Sequence, residues 1–256
     1  MNRDELEHLI RASGAITNQY EFVIVGSQSI LGPIPYPEPE FKMSAEADIY
    51  PRYAPDLADQ IDGSIGEGSA FHLNYGFYAQ GVGPETAVLP EGWEGRLHKV
   101  QNENTDNRIG WCLDVADLFM SKAVAARSKD QLFCRALLKY GHVQLQQVLD
   151  LVPCMPLADD ERTRLALRIR QQAAFLIQTQ HFQPDRRADG MAGISVAMAH
   201  RRIAAAVGDA GVDGLGHQQR AHRRIARRQA LGQRHHVRDD ARVLEAEPLA
   251  GTADAA

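Results

Sequence analysis

Residues 22–51 constrain the chain most. They read FVIVGSQSILG, a proline-rich loop, then FKMSAEADIYP. The run from Phe22 to Val25 is apolar and β-branched, which suits a buried strand. Gly26 and Ser27 end it with a tight turn. Glycine lets backbone amides approach a ligand closely, and a helix start after the turn offers unpaired N–H groups to an anion. The second run reads as a strand that places Glu46 and Asp48 two residues apart. Alternate residues of a strand share a face, so both carboxylates project together. Two hard oxygen ligands beside an anion-binding turn are what a Mg²⁺–triphosphate requires. The bland alternative is that Glu46 and Asp48 form the solvated face of an edge strand and that Ser27 only caps a helix.

The rest of the chain supplies strand signals first and helical periods later. Residues 4–12 carry Leu6, Leu9 and Ile10 among charges, a helical pattern with Gly14 as its stop. Residues 32–40 contain Pro33, Pro35, Pro37 and Pro39, a density that no regular helix survives. Residues 53–61 read as a helix, and the glycine-rich stretch after them as a loop. Residues 71–78 alternate and read as a strand, as do residues 86–89, 96–100 and 111–113. Asp114 is a good N-cap for the helix VADLFMSKAVAAR. Further helices are expected from Lys129-Asp130 to Gly141, over residues 143–151, and from Asp159 to about Phe182, where an acidic first turn favours the dipole. The expected fold class is therefore α/β (α+β): a small mixed sheet flanked by helices over residues 1–113, then a helical segment, residues 114–185, packed on it.

Residues 186–256 differ from everything before them. After Phe182 there is no Phe, Tyr or Trp, and the last lysine is Lys139. A basic nucleic-acid tail is one reading, but arginine and acid are interspersed and nothing aromatic is present for stacking. A low-information tail unable to bury a core is another, and the composition also looks like a GC-rich frame translated out of register. Over the 256 residues the formal net charge is −5, which gives no general push toward nucleic acid or membrane. The three cysteines, Cys112, Cys134 and Cys154, lack metal spacing, and their low, odd count fits a reducing cytoplasm. No stretch approaches the roughly 18 apolar residues of a spanning helix, and no signal-peptide core follows the charged start. A cytoplasmic protein with no membrane partner is expected.

Val25-Gly26-Ser27 with Glu46-Ala47-Asp48-Ile49 resembles the signature of the nucleotidyltransferase superfamily that includes DNA polymerase β. GFYAQGVGPETAVLPEGWEGRL and LDVADLFMSKAVAARSKD, in that order, resemble a group of bacterial nucleotidyltransferase-like proteins related to the abortive-infection toxins. The resemblance covers residues 5–151. It implies that Gly26 and Ser27 hold the phosphates of an NTP, that Glu46 and Asp48 hold Mg²⁺, and that Lys122 reaches the phosphates with help from Arg127 and Lys129. It implies transfer of a nucleoside monophosphate to a hydroxyl of RNA or protein, in a toxin–antitoxin or phage-defence setting with a cognate antitoxin. The sequence departs from the superfamily pattern in three ways. The proline loop lengthens the spacing between Ser27 and Glu46, glutamate stands at 46 where aspartate is commoner, and the strand up to Gln80 offers no third acid. These departures keep open a second reading, a catalytically silent fold that binds nucleotide or regulates.

Overall fold

The sequence EFVIV forms the central strand because it is apolar on both faces: Phe22, Val23, Ile24 and Val25 are all buried. A strand without a solvated face needs cover on both sides, and the rest of the chain provides it. A computed structural model describes residues 1–180. In chain order the strands are β1 (Glu21–Val25), β2 (Glu46–Pro51), β3 (Tyr78–Gly81), β4 (His98–Val100) and β5 (Ile109–Cys112). They make a five-stranded mixed sheet in the order β3-β2-β1-β5-β4. β1 runs antiparallel to β2 and parallel to β5, while β2 and β3 are parallel and β4 and β5 antiparallel.

One face is covered by α1 (Arg3–Thr17), which opens with a capping box between Asn2 and Glu5. Its Leu6, Leu9 and Ile10 are fully buried. Gly110 in β5 makes room for them: a Cβ there would lie 2.4 Å from Ile10 Cδ1 and 2.9 Å from Ile24 Cδ1. The next helices are α2 (Ala58–Ile65) and α3 (Ala70–Tyr75). α4 (Val115–Ala125) begins at Asp114, whose side chain accepts from Ala116 N at 2.9 Å. Val115, Ala116, Leu118, Phe119 and Met120 are all buried. A helix apolar on nearly every side must be enclosed, and α5 (Ser128–Lys139), α6 (Leu145–Asp150) and α7 (Asp159–Gln180) pack around it. The fold is thus an α/β sheet domain with a helical C-terminal part, as expected.

The local differences have identifiable causes. α1 runs through Gly14 to Thr17 and stops at Asn18, whose left-handed φ of 53° ends it instead. Residues 58–65 are helical where a glycine-rich loop is expected at their end. Residues 70–75 are helical, not extended, because Ser69 Oγ caps them by accepting from His72 N at 3.1 Å. Gly76, with φ 77°, then stops the helix and leaves β3 as the strand. Residues 86–89 carry no strand; Pro84–Thr86 is a 3₁₀ turn. Among the described residues, no helix is long and apolar enough to cross a membrane. The tail, residues 186–256, lies outside the described residues.

β3 reaches its place beside β2 only because Gly81 has no side chain. A Cβ there would lie 2.0 Å from the Ala58 carbonyl oxygen of α2, and backbone cannot move aside cheaply. Gly81→Ala should lower stability by about 1–3 kcal/mol, read as a lower urea midpoint with an unchanged m-value.

Candidate functional site

The β1–β2 register sets Val25 opposite Asp48, which brings the second carboxylate to the Gly26 turn. Gly26 adopts φ 65° and ψ −164°, a region open essentially to glycine alone. Asp48 also fills the space a side chain would need, since a Cβ on Gly26 would lie 1.9 Å from Asp48 Oδ2. Glycine is required here both for the backbone angle and for the approach of the acid. The helix expected after the turn is a single 3₁₀ turn, Ser27–Leu31. It is too short to carry a helix dipole, and its N-cap position is taken by Gly26, not by Ser27.

Ser27 instead meets Lys122. Lys122 Nζ donates to Ser27 Oγ at 2.7 Å and lies 3.2 Å from Asp130 Oδ1. At 7 % exposure Lys122 is not a solvated helix residue. Its ammonium also lies 5.2 Å from the Phe133 ring centroid. α4 ends at Ala125, and Ala126 takes a left-handed φ of 56°. This bend returns the chain so that Arg127 Nε donates to Asp130 Oδ2 at 2.6 Å. Arg127 and Lys129 are exposed at the rim.

A cleft of about 210 Å³ joins these groups. Gly26, Ser27, Glu46, Asp48, Lys122, Arg127 and Lys129 all line it, so the structure brings every residue named from the sequence to one place. The remaining wall is made of small side chains, among them Ala87 and Val88 on the loop after β3, Val124 and Ala125 of α4, and the hydroxyl residues Ser44, Thr86 and Ser121. Glu85 is not among the lining residues. The cleft is not a cage of metal ligands by itself: among the described residues no group of three or more His, Cys, Asp or Glu is placed to hold a metal ion.

Charge is unevenly settled in the site. Burial first, then the charge and hydrogen bond of Glu46, push Asp48 up to about 6, against the pull of Lys122 and Lys129. Burial also opposes ionisation of Asp130, but the Arg127 hydrogen bond and the Lys122 charge outweigh it and hold its carboxyl below the usual range. In the first turn of α4, Asp117 is fully buried and takes a two-pronged bond from Arg96, at 2.9 and 2.8 Å. Burial pushes Asp117 up, and Arg96 pulls it back only in part. Asp114 pairs with His98 at 3.0 Å besides capping α4. Cys112 and Cys134 are small buried groups whose thiols burial pushes up to about 12.

Sequence reasoning missed the convergence of Asp130 on Lys122 and the approach of Ala87 and Val88. Asp130 was visible within LDVADLFMSKAVAARSKD, but the bend at Ala126 that turns it inward leaves no compositional trace.

Residues 4–172 match the family described as "Nucleotidyltransferase of unknown function (DUF6036)". The chain belongs to this family. No curated protein and no solved structure matches it. The nucleotidyltransferase match spans the sheet, the helical part up to α7 and every residue of the cleft named above.

The raised Asp48 makes a signed prediction. An acid that titrates near 6 when folded and near 4 when unfolded binds more protons in the folded state between those values, so stability falls as pH rises through that window. In metal-free buffer, Asp48→Asn should remove this slope and raise stability at pH 7 by on the order of 1–3 kcal/mol. Urea titrations of both proteins from pH 4 to 7.5 measure it. Equal slopes in the two proteins would rule out the buried, opposed carboxylate.

Proposed function

We propose that this protein transfers a nucleoside monophosphate from an NTP to a hydroxyl acceptor, with Mg²⁺ held by Glu46 and Asp48. The carrying observation is that Asp48 is packed against the Gly26 turn, beside Glu46 and facing a buried Lys122, within one cleft. The donor set fits the ion. Two adjacent carboxylates suit a small hard cation that keeps several waters and takes its other ligands from phosphates. Asp48 resists its own charge beside Glu46, and a divalent cation relieves that opposition. When bound, Mg²⁺ would neutralise charge on the phosphate oxygens.

The chain's own groups divide the remaining work. The Gly26 turn gives phosphates close access to backbone. Lys122 exchanges its bond to Ser27 for a phosphate oxygen, and Asp130, 3.2 Å from its Nζ, keeps the ammonium aimed. Arg127 and Lys129 at the rim favour the departing pyrophosphate. Catalysis of this kind rests on positioning and charge more than on covalent chemistry. The acceptor is a hydroxyl of RNA or protein. The toxin–antitoxin or phage-defence setting and a cognate antitoxin follow from the resemblance of the quoted motifs to the abortive-infection proteins.

A second reading has its own support. Asp48 pairs with Gln80 across β2 and β3, and Glu46 with Tyr78, so the neighbouring strand brings no acid to activate an attacking hydroxyl. On that reading the fold binds Mg²⁺–NTP without transferring it.

Incubation with each α-³²P-labelled NTP, total RNA and lysate protein separates the two. Transfer is expected, lost in Asp48→Asn, and triphosphate binding should weaken about tenfold or more in Lys122→Ala. Mg²⁺-dependent binding with no label transferred would favour the silent module. Binding indifferent to Mg²⁺ would end the metal assignment.

A further inference from the structure

Where a third acid is expected, the sheet presents a phenol. The parallel register places Tyr78 of β3 beside Glu46 of β2. Tyr78 Oη donates to Glu46 Oε2 at 3.3 Å. That is longer than the usual O–H···O distance of about 2.7–2.8 Å, and such contacts commonly tighten once a site is loaded. The ring is itself held, because the His72 imidazole packs against it with centroids 4.6 Å apart. His72 in turn is fixed at two points: its Nδ1 accepts from Gly68 N at 3.0 Å, and its backbone N donates to Ser69 Oγ at 3.1 Å.

We propose that Tyr78 is a positioning residue for the divalent-cation site: its hydroxyl anchors one oxygen of Glu46, so that this long carboxylate stands ready beside Asp48. The inference rests on the metal reading given above. Glutamate at this position carries one more methylene than aspartate, and therefore one more rotor to immobilise when an ion binds. A hydrogen bond from a fixed ring does part of that ordering in advance, as partners beyond the ligands do in other metal sites. The phenol acts as a donor, not as a nucleophile. An ordinary phenol keeps its proton at neutral pH, and the hydrogen bond to Glu46 uses it.

The test uses the full chain and the four α,β-methylene nucleoside triphosphates, which bind without reacting. Calorimetric titration with Mg²⁺, at a fixed concentration of the tightest-binding analogue, gives the half-saturating Mg²⁺ concentration. Tyr78→Phe keeps the ring against His72 and removes the hydroxyl alone. It should raise that concentration about tenfold while leaving the melting temperature nearly unchanged. In the Glu46→Asp background, where the shorter acid falls short of the phenol, the same substitution should shift it less than twofold. If wild type binds and Tyr78→Phe shifts the midpoint less than twofold, or shifts it equally in both backgrounds, this inference is overturned and the metal reading survives. If wild type binds no analogue in a Mg²⁺-dependent way, both fall together.

Discussion

The antiparallel pairing of β1 with β2 is the constraint on which the site depends. Opposition of Val25 and Asp48 decides that the strand's second carboxylate arrives at Gly26 and nowhere else. A slip of one residue would turn both acids to the face that α1 covers. Burial guards against that slip: Phe22, Ile24 and Ile49 are fully enclosed, and the opposite register would drive carboxylates among them. The hydrophobic core and the charged cleft are thus specified by the same alternation. This is why an acid as resistant to ionisation as Asp48 can be kept in place. The energy that holds it comes from apolar residues that never touch the cleft.

Much of this was legible in the sequence, for physical reasons that can be named. β1 showed itself by an unbroken apolar run, and β2 by acids at strand spacing. α4 and α7 were marked by an N-cap and by an acidic first turn. The two acids of the cleft were legible because they sit at alternate positions of one strand, whereas Lys122, Arg127 and Lys129 were singled out only by the family resemblance of their motif. What stayed hidden depends on single residues acting at a distance. Ser69 turns an alternating segment into α3 through one hydrogen bond, and periodicity cannot register that. Ala126 reverses the chain with a left-handed conformation that alanine rarely adopts. Arg96 and Asp117 find each other across chain positions with no shared pattern, and their two-pronged pair ties the loop before β4 to the base of α4. The sequence shows most of the long elements; a short one such as α3, and the contacts between elements, are set by single capping bonds and tertiary packing.

The proline-rich segment looked like an obstacle, since it lengthens the connection between the turn and the acids. The structure fastens its far end to α5. Phe41 lies edge-on to Phe133, with centroids 5.0 Å apart, and packs against Tyr140 and His142. His142 bonds Glu38 at 2.8 Å, and Tyr140 bonds Glu40 at 2.5 Å. Phe133 is also the ring over which the Lys122 ammonium sits. One aromatic side chain therefore underlies both the loop and the cation that faces the acids. Tolerance to change is consequently lopsided along this short stretch. Around Tyr36, which is 88 % exposed, residues can be exchanged, added or lost in the course of divergence without reaching the cleft. At Phe41, a few residues further on, any drift in shape is felt at Lys122.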